Sequence, residues 1–510
     1  MKAAKPAVSR RKARTGCLTC KSRHVKCDEQ KPACLRCVAT KRICEGYSAV
    51  PLSISSQNAL SDQERRAFAF FQSRTAPRIL GQQDADDWAP VFFQLGHNEA
   101  SVKHAITALA SLHESLEPNM ACPLVRNFPR YASTASQVLA LKHYTQAMKS
   151  LRIEALNMAS KPDLTMILCI LFICFEQLRS GDAASFLHLT AGLKLIYWWR
   201  STTKNYTKLK DYSRPTLELM NEKITPILQR LRVQFALCMD SRHTVSYARM
   251  TPCLPAPAIP SSYASLGLAR KDFDRAMSYA FSILESDSMM DSQRPCVSPT
   301  LILRQWKDAL DASTFATEST VQVCVRRLLE LYYHVSVIIA DTYGTEREIV
   351  FDQHVHRFQA IVELAEAIVE AWKTASQQFS LLFSFDLGIT PPMFLVASRC
   401  RHPQIRRRAV SLMLQSPFYH GAWPDQYTGL CAQRIIEIEE EGRVMEPADD
   451  PTVYIPEHQR IRKLSADIQE ENGRIVMHFL RRPLDSEAEV RTTYIALGTG
   501  FIGQRNLIPR

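Results

Sequence analysis

No stretch of this sequence stays apolar long enough to cross a bilayer. The longest apolar run, Leu164–Phe175, is broken by Thr165, Cys169 and Cys174 and ends at Glu176. A spanning helix needs roughly 20 apolar residues, so a buried helix is expected here and no membrane partner. No apolar segment follows the basic N-terminus, and a secretory signal peptide is therefore not expected. Cysteines of an unprocessed chain in a reducing compartment signify metal or catalysis when clustered, rather than disulfides. Internal repeats are absent beyond the first fifty residues. Strand patterns are sparse before residue 464, which leaves a mostly helical body.

Catalytic constellations are also missing. His113-Glu114 lacks the second histidine of H-E-x-x-H, and His354 and His356 lie two apart, on different sides of a helix. Gly498-Thr499-Gly500-Phe501-Ile502-Gly503 matches G-x-G-x-x-G, but seven residues follow it, too few for the helix and distal acid a dinucleotide site needs. Asp84-Ala85-Asp86-Asp87 reads as a helix start, where carboxylates complement the dipole. Arg406-Arg407-Arg408 reads as a solvated helix face. Phe68, Phe70, Phe71 and Trp198-Trp199 read as packing, as do the nine body cysteines. An enzyme with a helical body and an accessory zinc domain is the alternative reading, and no convergent carboxylates or histidine pair in the sequence support it.

The chain has 510 residues, a net charge of +12 and fifteen cysteines. Its charge is concentrated. Residues 1–44 hold thirteen Lys or Arg against Asp28 and Glu29, a charge of +11, which leaves +1 for everything else. A basic head on a neutral body points to a polyanionic partner for the head. Six cysteines lie in that head: Cys17, Cys20, Cys27, Cys34, Cys37 and Cys44. Their spacing is one unit, Cys-x2-Cys-x6-Cys, written twice. Two tetrahedral zinc ions need eight ligand positions, and six thiolates fill eight only if two are shared. The symmetric choice of bridging residues is Cys17 and Cys34. A segment this short has no adequate apolar core, so metal binding should supply its folding free energy.

The halves differ between their second and third cysteines. The first reads Lys21-Ser22-Arg23-His24-Val25-Lys26 and the second Val38-Ala39-Thr40-Lys41-Arg42-Ile43. The first short helix is the more basic and is expected in the major groove. Arg23 there suits a guanine's O6 and N7. Lys21, Lys26, Arg11, Lys12 and Arg14 suit phosphates, which position the module without reading sequence. Arg10-Arg11-Lys12-Ala13-Arg14 also fits a nuclear import signal.

With its six cysteines, Lys26-Cys27-Asp28, the loop proline Pro32 and Glu45-Gly46-Tyr47, the head resembles the DNA-binding region of the fungal zinc binuclear-cluster transcription factors. The resemblance implies two zinc ions per chain, bridges at the first and fourth cysteines (Cys17 and Cys34), and a CGG triplet read by the first helix. It further implies a nuclear regulator of RNA polymerase II genes that binds double-stranded DNA and engages the transcription machinery. That family often has two adjacent basic residues where this chain has Arg23-His24, and His24 is the weaker, pH-dependent donor of the two. The expected fold is a two-zinc cysteine cluster with two short helices, joined to a mostly α-helical regulatory domain that ends in a β-hairpin. The expected divisions are a head at 1–48, a linker at 49–62, a body at 63–483 and an unplaced tail at 484–510. The linker shows no heptads, so the isolated head is expected to be a monomer and any homodimer to form through the body.

Within the body, Val102, Ala105, Ile106, Leu109 and Leu112 form a helical stripe. Asp163 is an expected N-cap, and Val321–Ile339, His354–Trp372 and Ile435–Glu441 suit helices. Near the end, Leu464, Ala466 and Ile468 alternate, then Ile475, Met477 and Phe479, around an Asn472-Gly473 turn signal.

Overall fold

The structure is a computed structural model. In the head it describes residues 17, 19, 20, 23, 25, 27, 28, 30, 34–40, 42 and 44. Beyond the head it describes 60–77, 88, 91–120, 135–154, 161–179, 182–203, 214–238, 254–284, 297–315, 319–345, 347–374, 387–415, 425–441, 455–469, 473–481 and 490–496. The chain divides into two units, Met1–Ser61 and Asp62–Arg510. In the first, Thr19 and Cys20 are helical and α1 spans Leu35–Ala39.

The second unit is mostly helical. Its first part comprises α2 (Asp62–Phe70), α3 (Ala100–Met120), α4 (Ala135–Glu154), α5 (Pro162–Leu178), α6 (Asp182–Thr203) and α7 (Arg214–Glu218). Helix α5 is the long apolar run. It is buried on every side from Met166 to Glu176, as a helix without a polar face must be. Lys161 is its N-cap and Pro162 takes the first helical position, where the missing N–H costs nothing. Asp163 therefore lies in the first turn, where it faces the dipole, rather than at the cap. The α3 stripe is buried as its period requires, with Val102, Ile106 and Leu109 fully inside. The aromatic group packs as expected: Phe71 meets Phe92 edge-on at 5.7 Å, and Phe92 stacks on Trp88 at 5.3 Å. His113 is likewise structural, its Nδ1 lying 2.9 Å from Thr75 Oγ1.

The second part holds α8 (Thr225–Cys238), α9 (Leu266–Leu284), α10 (Pro299–Asp311), α11 (Thr320–Thr342), α12 (Val355–Thr374), α13 (Thr390–Arg399), α14 (Pro403–Gln415) and α15 (Asp425–Glu440). One continuous apolar core runs from Val233 to Ile495. Trp306, fully buried, satisfies its indole by donating to Ala269 O at 2.8 Å, and its ring lies 4.5 Å from Phe273. Helix α11 opens with a capping box: Ser319 Oγ accepts from Gln322 N, and the Gln322 side chain accepts from Ser319 N. Among the described body cysteines, Cys169, Cys174, Cys324, Cys400 and Cys431 are buried and unbridged.

An antiparallel sheet closes the chain, in the order β1 (Ile461–Gln469), β2 (Arg474–Arg481), β3 (Val490–Ala496). The two alternating sets find each other in register: Leu464 opposite Phe479, Ala466 opposite Met477, Ile468 opposite Ile475. Gly473 has φ 58°, the left-handed conformation such a turn demands. Asn472 lies outside the described residues. Strand β3, in the stretch left unplaced by the sequence reading, extends the hairpin by setting Ile495 against Ile475.

The Arg406-Arg407-Arg408 expectation is corrected. Arg406 is fully buried, in the same stripe of α14 as Val410 and Met413. Its Nη2 donates to Glu439 Oε2 at 2.7 Å, and Arg401 donates to Glu439 Oε1 at 2.9 Å. Ile461 N donates to that same Oε1 at 2.8 Å, which fastens β1 to α15. Arg407 pairs with Glu440 at 2.5 Å and Arg408 with Glu366 at 2.6 Å. Three adjacent arginines thus each have a different nearest acid, because 100° of helical turn separates each from the next.

No described helix is long and apolar enough to cross a membrane.

Candidate metal centre and nucleic-acid interface

The sequence repeat becomes a structural repeat with an offset of seventeen residues. Cys20 N donates to Cys17 Sγ at 3.3 Å, and Cys37 N to Cys34 Sγ at 3.3 Å. Val25 N reaches Cys20 O at 3.1 Å, and Arg42 N reaches Cys37 O at 2.9 Å. Each Cys-x2-Cys knuckle is the opening of a helical turn whose first sulfur accepts from the backbone. A thiolate accepts such hydrogen bonds better than a thiol, so the backbone is already arranged for the metal-bound form.

The two knuckles face each other. Cys17 Sγ lies 3.7 Å from Cys34 Sγ and 3.8 Å from Cys37 Sγ; Cys20 Sγ lies 3.7 and 3.9 Å from the same pair. Thiolates sharing one tetrahedral zinc, with bonds near 2.3 Å, sit about 3.8 Å apart. All four cysteines are fully buried. Cys27 and Cys44 pack against this group. Cys27 Sγ accepts from Cys17 N at 3.5 Å and lies within 4.8 Å of Cys34 Sγ. Cys44 interacts with Cys17. The donor set fits zinc: four soft sulfur ligands converge at ligand separations, and two more pack against them.

Burial raises the Cys17 thiol to about 12, and Cys20 and Cys34 shift the same way for the same reason. Without metal these three thiols therefore keep their protons at neutral pH. Zinc must expel them on binding, so its affinity falls as the pH falls.

Asp28, part of the Lys26-Cys27-Asp28 run, joins the two halves of the repeat. Leu35 N and Arg36 N donate to its two carboxylate oxygens at 2.8 and 3.1 Å. It thereby closes the N-terminus of α1 from the other half of the repeat. Desolvation opposes its ionisation, but these N–H groups prevail and hold it below its ordinary value. Its help is thus fully present above the unfolded carboxylate range and is lost as pH falls through the folded value. Asp28→Ala should loosen zinc about tenfold, as loss of a supporting contact commonly does; competition with a chromophoric chelator measures it.

Arg23, the expected base reader, donates to Thr40 Oγ1 at 3.4 Å. Thr40 is its own counterpart in the second half, and its hydroxyl donates back to Arg36 O at 2.8 Å. Arg11, Lys12, Arg14, Lys21, His24 and Lys26 lie outside the described residues, as do Asp84–Asp87 and Gly498–Gly503.

Residues 15–51 match the fungal Zn(2)-Cys(6) binuclear cluster domain, which binds two zinc ions, and residues 66–220 match the fungal specific transcription factor domain. The chain is 26% identical over 222 residues to the aspercryptin biosynthesis cluster-specific transcription regulator of Emericella nidulans, covering 36% of this chain and 35% of that one. It is 23% identical over 232 residues to a transcription regulator of Purpureocillium lilacinum, covering 41% and 52%. Over 59 residues it is 44% identical to a transcriptional regulatory protein of Schizosaccharomyces pombe, 12% of each chain. The matches thus take in about half or less of these relatives' lengths. No solved structure matches. These families and relatives are transcription regulators, not enzymes.

Proposed function

We infer that this chain, a fungal zinc binuclear-cluster regulator by its two matched domains, binds specific double-stranded DNA sites and controls RNA polymerase II genes in the nucleus. The observation that carries the reading is the folded repeat: two thiol knuckles face to face at zinc-ligand separations, within a segment of charge +11. In this reading Cys17 and Cys34 bridge the two metals. The helical turn at Thr19–Cys20 and the basic stretch that follows it enter the major groove. Arg23 exchanges its long hydrogen bond to Thr40 for a bidentate pair with guanine of a CGG-type element. Lys21, Lys26, Arg11, Lys12 and Arg14 hold phosphates, with His24 beside them. The second unit regulates, recruits the transcription machinery and forms any homodimer.

Selection of DNA sites from a random pool with the full chain tests this directly. A CGG triplet, alone or paired at fixed spacing, is the expected result; a pool without enrichment would refute it. Arg23→Ala should cost about 1–3 kcal/mol of discrimination at one guanine. Five phosphate contacts should give a log affinity against log salt slope of about −4 to −5. A slope near zero in a filter-binding titration would remove the phosphate assignment.

A further inference from the structure

The first helices of the second unit bring together three potential ligands that the sequence scatters. His104 lies on α3, His143 on α4 and Glu64 on α2. His104 Nδ1 and His143 Nδ1 are 3.0 Å apart. A Glu64 carboxylate oxygen lies within 4.8 Å of a ring nitrogen of each histidine. Glu64 and His143 are buried, and His104 is half-buried. The two rings are inclined at 46° with centroids 5.1 Å apart, so they face each other through ligand atoms rather than stacking.

We propose that Glu64, His104 and His143 form a second metal site of this chain, for a divalent transition ion of the zinc class. Two imidazole nitrogens on one tetrahedral zinc, with bonds of 2.0–2.1 Å, sit about 3.3 Å apart. An opening of a few tenths of an ångström admits the ion. The set of two nitrogens and one carboxylate oxygen leaves a fourth position for water or an exchangeable ligand, unlike the closed sulfur set of the head. Desolvation pushes both imidazoles below their ordinary value, which keeps them in the neutral form that ligates. Lys103 Nζ stands 3.3 Å from Glu64 Oε1, and its ammonium occupies the carboxylate when no metal does. An ion here would clasp α2, α3 and α4 from three sides.

The measurement is zinc per chain in the full-length protein, saturated with zinc under reducing conditions, freed of excess metal and counted by mass spectrometry. His104→Ala serves as the reference, so the zinc of the head cancels whatever its amount. The native chain should hold one zinc more than H104A. Lys103→Gln should keep that extra ion and bind it several-fold more tightly, because a competing cation is gone. Native and H104A chains with equal zinc would overturn the proposal. Should H104A not fold, Glu64→Gln decides by the same difference: one zinc fewer supports the site, and an unchanged count overturns it.

Discussion

Serine at Cys34 should empty the head of both zinc ions, whereas serine at Cys44 should leave one. The difference follows from sharing. If Cys34 bridges, its loss leaves each metal with three sulfur ligands and removes the charge that holds the ions together; Cys44 serves one metal. The position of Cys34 makes it central in a second way. Its sulfur accepts from Cys37 N, lies 3.7 Å from both Cys17 and Cys20, and its residue is the N-cap of α1. Because a head this small folds on its metal, Cys34→Ser should also drop DNA affinity to the non-specific level, a fall of roughly 10³-fold or more. Metal counting and a gel-shift titration on a selected site measure the two effects. Equal zinc loss in the Cys34 and Cys44 variants would end the bridging assignment.

Alanine at Glu439 should destabilise the second unit by about 3–5 kcal/mol, the usual cost of stranding a buried partner charge. Glu439 is fully enclosed and neutralises Arg401 and Arg406, both almost without solvent contact. It also accepts Ile461 N, so its loss would orphan the first N–H of the sheet and take from the two guanidinium groups their shortest carboxylate contact, leaving Arg401 with Glu348 at 3.3 Å and Arg406 with Glu440 at 3.8 Å. Burial alone would raise its pKa; the two arginines and the Ile461 N–H reverse that and hold it low. A depressed folded value means the contribution is complete above the unfolded carboxylate pKa and disappears as pH falls through the folded one. Acid sensitivity should therefore begin below about pH 4.5 in the native chain. Asp62→Ala, which removes an exposed pair with Arg65, should cost about 1 kcal/mol or less. Urea unfolding followed by circular dichroism separates these outcomes; a Glu439→Ala midpoint equal to that of Asp62→Ala would refute the role.

The head was legible because its information is local. Ligand spacing, knuckle geometry and charge are all written within 28 residues, from Cys17 to Cys44, and the structural repeat keeps the offset of the sequence repeat. The hairpin was legible for a related reason: period-two alternation and a turn glycine fix register without distant partners. Long helices announced themselves through their apolar stripes. The N-cap of α5 lies two positions before the expected Asp163, because Pro162 claims the start of the helix, and a proline's fixed φ outweighs an acid's preference for the cap.

What the sequence determined by itself is the six-cysteine centre, its basic setting and the helical character of the body. These rest on spacing and periodicity, properties of neighbouring residues. The tertiary structure alone decided which charges are buried and which side chains meet across helices. Arg406 looks like its two neighbours in sequence, yet only it enters the core, because an acid 33 residues away awaits it. His104 and His143, 39 positions apart, touch because α3 packs on α4. Chain folding sets such contacts through the burial of whole helix faces, and no local pattern records which polar residue the opposing face will present.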